Sequence, residues 1–557
     1  MPTDFWLFFE LNVPFMKNFF LGFACVFSFS VAAQTAPPKL VVGIVVDQMR
    51  QEYLYRYESK FGEGGFKRLM GGFMLTNAHY NYVPTYTGPG HASIFTGTTP
   101  AYHGIIGNDW WDKNLKKEVN CVGDERFQPV GNPEGNGDVS PWRMLASTIT
   151  DELKVATQKK AKVVGISIKD RGAVLPAGHL PDGAYWLDTK SGKFITSTYY
   201  KNALPTWVDA FNNLKLPDSY LNQEWKTLLP IEKYLNVDDS PYERKLKGKD
   251  KPVFPYNLKE LRKENGGYDL LSVTAFGDDL LAEFVKAALA GEQMGKDDVT
   301  DFLSVSFSTP DYVGHAMGPN SVELEDTYLR LDKNLEDLLK YLDRQVGEGQ
   351  YLVFLTADHA VAEVPQFLKD SKVPAGNFSW SNVEAGLNEH LQKYFPNRKI
   401  VERIANEQVF FNQDLFAGDP KTSGIDLLIA TELTVNYLQS VGGIAQVFSK
   451  SVIKQGAYNE TGIKGMIARG YHFKRSGDVM VQLEPSWIPS SYPTGTTHGS
   501  AYSYDTHVPI LFYGKGVRKG ASASYHTITD IAPTLSVMLK IKFPSACTGQ
   551  PIVEILE

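Results

Sequence analysis

The chain has 557 residues, 43% hydrophobic and 21% charged, so it is long enough to bury one large core with insertions or to form two or three domains. This composition excludes an intrinsically disordered protein. The formal net charge of −7, without a dominant basic run, argues against a nucleic-acid-binding protein.

The N-terminal segment has the pattern of a secretory signal peptide. A basic residue, Lys17, precedes an apolar stretch that ends in a pair of alanines resembling a cleavage site. We therefore expect residues 1–33 to be a signal peptide, with translation starting at Met16, and residues 34–557 to be exported to the periplasm or secreted. The apolar stretch is too short to predict a stable membrane anchor.

Two cysteines remain after removal of such a signal peptide, Cys121 and Cys547. Export would bring them into an oxidising compartment, where disulfides form. The sequence leaves open whether they pair, because a disulfide needs Cα atoms within about 7 Å of each other.

The opening of a predicted helix raises a question about one threonine. In the segment YNYVPTYTGPGHASIFTG (residues 80–97), Thr87 stands directly before a helical apolar pattern, with Pro89 in the first turn. Such a threonine is ordinarily a helix cap. A hydroxyl flanked by glycines at a helix start is also well placed to meet an anion, and the segment alone does not decide between these roles.

Short apolar runs predict buried strands of one sheet. They are Leu40–Val46, Lys162–Ile168, Phe302–Phe307, Tyr351–Leu355 and Val508–Phe512. Amphipathic helices lie between them, the clearest from Leu324 to Leu342. The alternation predicts an α/β fold with a mainly parallel sheet flanked by helices on both faces. Residues 172–300 and 365–495 lack the alternation, and we expect them to be inserted regions that cap the strand ends.

Polar side chains follow the predicted strands. In parallel sheets ligands bind beyond the carboxyl ends of the strands. The residues that fall there are Asp47, Lys169, Arg171, Asp311, Asp358 and His359. A single Asp at a strand end is usually a helix cap or turn former, and a single His is usually structural. The convergence of several such residues on one edge is what predicts a site.

The carboxylates and imidazoles of this set suit a metal. His315 lies four residues after Asp311, and His498 stands in the segment TGTTHG. Together with the strand-end residues and Thr87, they supply enough ligands for two neighbouring Zn²⁺ ions.

The motifs together resemble the alkaline phosphatase superfamily, and within it the phosphate-irrepressible alkaline phosphatases of the PafA type. They are VDQ, TYTGPGHASIFTGTTPAYHGIIGNDWW, STPDYVGHAMGP, TADHA and TGTTHGSAYSYDTHVPILFYG, in family order from about residue 40 to the end. The resemblance implies one zinc held by Asp311, His315 and His498. It implies a second zinc held by Asp47, Asp358, His359 and the Thr87 oxygen.

The same resemblance implies the chemistry. Thr87 would be the nucleophile that becomes phosphorylated, and Asn108, Lys169 and Arg171 would bind the phosphoryl oxygens. The expected activity is hydrolysis of a broad range of small phosphate monoesters by a monomeric protein. Thr85 is the alternative nucleophile. His507 is expected to pack or to support a ligand, and the other histidines, His91 among them, have no ligand spacing.

Other functions stay open at this point. A type I phosphodiesterase or nucleotide pyrophosphatase shares the threonine and both zinc sites, but would need an apolar slot where the basic pair Lys169 and Arg171 is expected. A sulfatase is disfavoured because the Cys/Ser-x-Pro-x-Arg segment is absent at Thr87, and a cofactor-independent phosphoglycerate mutase would use serine and manganese. A non-catalytic exported binding protein of the same fold is the alternative outside enzymes.

Overall fold

A computed structural model describes residues 36–418, 420–456 and 458–556. The predicted signal peptide, residues 1–33, lies outside this described part. None of the described helices is long and apolar enough to cross a membrane.

Strands and helices alternate along the described part of the chain. The strands are β1 (Leu40–Val46), β2 (Phe73–His79), β3 (Asp109–Asp112), β4 (Lys117–Asn120), β5 (Pro129–Val130), β6 (Val163–Ser167), β7 (Gly183–Asp188), β8 (Lys193–Ser197), β9 (Glu224–Trp225), β10 (Tyr256–Asn257), β11 (Asp301–Phe307), β12 (Tyr351–Thr356), β13 (Gly376–Asn377), β14 (Val401–Ala405), β15 (Gln408–Phe411), β16 (Ile444–Ser449), β17 (Val479–Leu483), β18 (Trp487–Ile488), β19 (His507–Gly514), β20 (Gly520–Ser522) and β21 (His526–Thr527).

The helices vary widely in length. They are α1 (Tyr53–Arg56), α2 (Phe66–Met70), α3 (Thr87–Thr96), α4 (Pro100–His103), α5 (Ile149–Ala156), α6 (Asp170–Ala177), α7 (Thr206–Asn213), α8 (Leu216–Leu221), α9 (Leu258–Leu261), α10 (Asp269–Ser272), α11 (Phe276–Gly291), α12 (Thr309–Met317), α13 (Val322–Leu342), α14 (Pro365–Asp370), α15 (Trp380–Gln392), α16 (Pro420–Gln439), α17 (Lys450–Gln455), α18 (Gly462–Gly470), α19 (Ser503–Thr506) and α20 (Ile531–Leu539).

One large sheet forms the centre, in the order β20-β2-β19-β12-β1-β11-β6-β7-β8-β5, with β21 beside β2. The five strands β12, β1, β11, β6 and β7 are parallel. The central strand β1 is buried along its whole length, as a strand covered by helices on both faces must be. The predicted α/β fold with a mainly parallel sheet is confirmed.

The strand predicted at Val508–Phe512 belongs to β19, which runs antiparallel to β12. The beginning of β19 therefore lies at the same sheet edge as the carboxyl ends of the parallel strands. This reversal brings the segment before β19, which carries His498, to the edge where the other predicted ligands lie.

The two regions expected to be insertions differ in structure. Residues 172–300 contribute the antiparallel hairpin β7–β8 to the edge of the main sheet. Residues 365–495 contain a separate antiparallel sheet, in the order β14-β15-β17-β16, with a hydrophobic cluster of its own.

The two cysteines are both free and lie at opposite ends of α3. A Cβ at Gly88 would be 3.2 Å from Cys121 Sγ, and a Cβ at Gly97 would be 2.8 Å from Cys547 Sγ. Nine residues of helix separate these contacts by about 13 Å, well beyond disulfide reach. The question of pairing is thereby answered: they do not form a disulfide in this fold.

Candidate metal centre

The first predicted ligand group is assembled from α12 and the loop before β19. Asp311 and His315 stand one turn apart on α12 and therefore share a face of the helix. His315 Nε2 lies 3.1 Å from Asp311 Oδ1, and His498 Nε2 lies 3.7 Å from the same oxygen. The three predicted ligands thus come together at one point.

The second predicted group surrounds one imidazole nitrogen. His359 Nε2 lies 3.5 Å from Asp47 Oδ1, 3.7 Å from Asp358 Oδ2 and 3.4 Å from Thr87 Oγ1. All four residues are at most 1% exposed. Ligands about 2.0–2.2 Å from a tetrahedral zinc ion lie about 3.3–3.6 Å from one another, so both groups have the dimensions of a zinc site.

The two groups adjoin each other. Ligand atoms of Asp47, Asp311 and His359 also lie within 4.8 Å of one another, which links Asp311 of the first group with the second. The rings of His359 and His498 stack with centroids 3.4 Å apart. The arrangement therefore offers two neighbouring cation positions.

Backbone carbonyls fix the orientation of the three histidines. The Nδ1–H groups of His315, His359 and His498 donate to the carbonyl oxygens of Thr496, Ala360 and Thr85, at 2.8, 3.0 and 2.7 Å. In this tautomer each Nε2 presents its lone pair to the cluster, as a metal ligand must. Burial also lowers the pKa of His498 to about 3, which keeps this imidazole neutral.

Two carboxylates of the cluster have an unsatisfied buried oxygen. Among the described residues, none forms a hydrogen bond with Asp47 Oδ1 or Asp358 Oδ2. Burial, followed by the charge of Asp311, raises the pKa of Asp47 to about 6, and burial and Asp47 raise the pKa of Asp358 well above its usual value. A bound cation would satisfy these oxygens and stabilise their charged form, so the residues fit a divalent metal.

Thr87 occupies the first turn of α3, directly beside the cluster. Helix α3 lies so close to the loop that carries Asp358, after β12, that a Cβ at Gly90 would be 2.2 Å from the Asp358 carbonyl oxygen. The alternative nucleophile, Thr85, instead donates its hydroxyl to the Ser500 carbonyl oxygen at 3.1 Å. Its hydroxyl is therefore engaged in a backbone bond.

Three further predicted residues border the cluster. Lys169 Nζ donates to Asp47 Oδ2 at 2.7 Å and to Asp311 Oδ2 at 2.5 Å. Asn108 Oδ1 accepts the backbone N–H of Gly88, the residue after Thr87, at 2.7 Å. Arg171 lies in the first turn of α6, and its buried Nε has no hydrogen-bond partner in the part of the chain that the structure describes. These residues supply positive charge and an amide beside Thr87.

Sequence reasoning missed two residues that hold the cluster together. Gln48 Nε2 donates to Asp311 Oδ1 at 2.6 Å, and its backbone N–H donates to Asp358 Oδ1 at 3.2 Å. His91, buried one turn after Thr87, donates from Nδ1 to the Thr87 carbonyl oxygen at 2.9 Å. The i, i+4 spacing to Thr87 was the one signal that could have identified His91.

His507 lies apart from the cluster. Its ring stacks on His79 with centroids 4.5 Å apart, and its Nε2 lies 3.0 Å from the Thr76 carbonyl oxygen. Of the two expected roles, packing is the one that these contacts fit.

Comparisons with known proteins extend over nearly the whole chain. A family model described as type I phosphodiesterase / nucleotide pyrophosphatase matches residues 41–507. Alkaline phosphatase PafA of Elizabethkingia meningoseptica is 45% identical over 93% of this chain and 94% of that protein. A crystal structure of wild-type PafA matches with a TM-score of 0.89, covering 94% of this chain and 99% of the PafA chain.

Two further relatives are equally similar. Alkaline phosphatase PhoV of Synechococcus elongatus is 44% identical over 95% of each chain. A Myroides odoratus protein named calcium-transporting ATPase is 45% identical over 98% of this chain and 100% of that protein. The chain therefore belongs to the type I phosphodiesterase and nucleotide pyrophosphatase family, within which it is an enzyme of the PafA type of alkaline phosphatase.

Proposed function

We propose that the protein is a zinc-dependent phosphate monoester hydrolase that acts through a phosphothreonine at Thr87. The observation that carries the proposal is the position of the Thr87 hydroxyl, 3.4 Å from His359 Nε2 at the start of a ten-residue helix. This distance supports Thr87 as the nucleophile, because it puts the hydroxyl among the proposed metal ligands.

Two Zn²⁺ ions fit the residues present. One would be held by Asp311, His315 and His498, and the other by Asp47, Asp358, His359 and Thr87. Bound there, the ions would lower the pKa of the Thr87 hydroxyl and stabilise charge on the leaving oxygen.

The chain's own groups bind and orient the ester. Attack by Thr87 Oγ1 on phosphorus forms a P–O bond to threonine and releases the alcohol. Attack by water on this phosphothreonine then yields inorganic phosphate and restores the hydroxyl. The N–H groups at the start of α3 and the side chains of Asn108, Lys169 and Arg171 would donate to the non-bridging oxygens.

Charge favours monoesters over diesters. A monoester dianion presents three non-bridging oxygens, which a lysine, an arginine and an amide can bind together. A type I phosphodiesterase is the second candidate, because the family model that matches the chain carries that description. In a diester the second ester group would meet the buried charge of Lys169 and the partly buried charge of Arg171 at a desolvation cost.

The activity is expected to extend to a broad range of small phosphate monoesters. We also propose that residues 1–33 direct export to the periplasm or medium and that the mature protein works as a monomer. The support for export is the sequence pattern alone, and mass spectrometry of the mature N-terminus tests it.

The experiment compares Thr87→Ala with wild type on an aryl phosphate and a bis-aryl phosphate. We expect wild type to prefer the monoester strongly, and Thr87→Ala to lose nearly all turnover with zinc content and folding retained. Acid quenching during turnover should leave a phosphate on the peptide that contains Thr87. Thr87→Ser, which keeps a hydroxyl, is the control. An unphosphorylated peptide, or activity surviving in Thr87→Ala, would refute the proposal.

A further inference from the structure

One hairpin of the separate antiparallel sheet reaches residues that lie next to Thr87 and Asn108. Strands β14 and β15 are joined by two residues, Asn406 and Glu407, with φ of 50° and 57°. Positive φ at both loop residues is the geometry of a tight two-residue hairpin. The backbone N–H of Val481 on β17 donates to the Glu407 carbonyl oxygen at 2.8 Å, which ties the tip to a third strand.

The two tip residues contact the chain directly before Thr87 and directly after Asn108. Asn406 Nδ2 donates at 2.5 Å to the carbonyl oxygen of Asp109, the neighbour of Asn108. The Tyr86 hydroxyl, on the residue before Thr87, donates to Glu407 Oε2 at 2.9 Å. The hairpin tip therefore bonds the chain next to the nucleophile and next to a predicted phosphoryl-binding amide.

The fit at the tip is close on the Asn108 side. A Cβ at Gly107 would lie 2.5 Å from Asn406 Nδ2, so the glycine is what admits the amide. Asn108 Oδ1 in turn accepts the Gly88 N–H at 2.7 Å. This one side chain therefore connects the segment that contacts Asn406 with the first turn of α3. A displacement of the tip would therefore move Asn108 relative to α3.

Polar contacts hold the same sheet against the β3–β4 hairpin that follows Asn108. Lys113 Nζ donates to the Ser476 carbonyl oxygen at 2.8 Å, Arg403 lies 3.2 Å from Glu118, and Lys116 pairs with Asp414. The Asn406 contact stands closest in sequence to Asn108 among these.

We propose that Asn406 and Glu407 are positioning residues for phosphoryl transfer. Asn406 fixes the position of the Asn108 side chain relative to the non-bridging oxygens of the ester. Glu407 fixes the position of the Thr87 hydroxyl through its hydrogen bond with Tyr86. The inference rests on the proposed function, because it assigns its effects to Asn108 and Thr87.

A double-mutant cycle tests the proposed effect of Asn406 on Asn108. The variant is Asn406→Gly, because glycine accepts the positive φ and only the amide is lost. We expect kcat/KM for an aryl phosphate to fall about tenfold, the loss of one well-placed hydrogen bond. Hydrolysis of a bis-aryl phosphate should change less than about twofold, with zinc content unchanged. In the Asn108→Ala background, Asn406→Gly should have no further effect.

The Tyr86→Phe variant tests the Glu407 arm. Because Thr87 serves every ester, this change should lower monoester and diester hydrolysis by the same factor. The control is Arg403→Ala, on the same β14–β15 hairpin as Glu407. This change removes only an exposed ion pair with Glu118 and should leave the rates of monoester and diester hydrolysis unchanged.

The outcomes separate the inference from the proposed function. An Asn108→Ala variant with wild-type monoesterase activity would refute the role of Asn108 in the proposed function. Suppose that Asn108→Ala lowers monoester hydrolysis. The positioning role is then refuted if Asn406→Gly is as active as wild type, or if the double variant loses activity by the product of the two single losses. A Tyr86→Phe effect confined to one ester class would equally overturn it.

Discussion

Gln48 shows how a residue outside the ligand set can govern it. It adopts a φ of 67°, unusual for a side chain of its size, and from there bonds Asp311 and Asp358. A Cβ at Gly314 would lie only 2.0 Å from the Gln48 amide oxygen. The helix that carries Asp311 therefore needs glycine at this position. Gln48 thus fixes one carboxylate of each ligand group.

We expect Gln48→Ala to weaken zinc binding more than folding. Without the amide, the Asp311 carboxylate loses the bond that orients it, and losses of about 10–100-fold in metal affinity are typical for such supporting residues. Zinc transfer to a chromogenic chelator measures the change. Gln51→Ala is the control, because the buried Gln51 Nε2 has no hydrogen-bond partner within residues 36–418, 420–456 and 458–556. Equal zinc transfer from both variants would contradict the role given to Gln48.

At the residue scale, the sequence predicted which carboxylates and imidazoles come together, but not the residues that support them. Asp47, Asp311, Asp358 and His359 were predictable because each follows a buried strand of a parallel sheet. Gln48 and Asn406 were not, because their partners lie hundreds of residues away and only the folded chain brings them together.

At the element scale, α3 packs closely against the candidate metal centre. Gly90 faces the Asp358 carbonyl oxygen at a distance that admits no side chain. Gly90→Ala should therefore push α3 away from the ligand loop and cost about 1–3 kcal/mol in unfolding free energy, together with most of the activity. Chemical denaturation and turnover measure both effects.

The matched substitution is Gly424→Ala on α16, where no atom of the described side chains and backbone lies within 4 Å of a new Cβ. Alanine is the better helix former, so this variant should be as stable as wild type or about 0.5–1 kcal/mol more stable. If Gly90→Ala behaved like Gly424→Ala, the close docking of α3 would be wrong.

Elements were predictable where the pattern is local. The apolar spacing predicted a helix over Leu324–Leu342, and α13 begins two residues earlier because Ser321 caps it by accepting the N–H of Leu324. The antiparallel direction of β19 was not predictable, because a buried run looks alike in either direction. That direction is what brings His498 to the cluster.

At the scale of the whole molecule, two buried carboxyl groups make the free energy of unfolding depend on pH. Glu323 and Glu243 each have a buried oxygen that no residue in the described part of the chain hydrogen-bonds. Burial, and then other acidic groups, raise the pKa of Glu323 to about 8; burial and Glu323 raise that of Glu243 to about 10. Because the folded state holds protons that the unfolded state has lost, these groups lower stability as pH rises from about 4.5 toward 8 and beyond.

Glu323→Gln should flatten this dependence. The amide keeps an oxygen for the Tyr256 hydroxyl, which now donates to Glu323 Oε1 at 2.5 Å, and carries no charge at any pH. Melting temperatures at about pH 6 and about pH 9, with zinc in excess, should differ less in the variant than in wild type. Glu389→Gln on exposed helix surface is the control and should follow wild type. An unchanged difference in Glu323→Gln would show that Glu323 does not retain its proton.

The whole fold was predictable in class, while its interior arrangement was not. Alternating strands and helices predicted the parallel sheet, yet residues 172–300, which lack that rhythm, still add β7 and β8 to it. Short polar-flanked strands of this kind carry no signal for the edge they join.

The most direct measurement is anomalous diffraction at the zinc edge from crystals grown with zinc. We expect two peaks about 3.5–4 Å apart, one against Asp311, His315 and His498 and the other against Asp47, Asp358, His359 and Thr87. A single peak, or zinc bound away from these side chains in a preparation that hydrolyses phosphate monoesters, would contradict the two-ion centre.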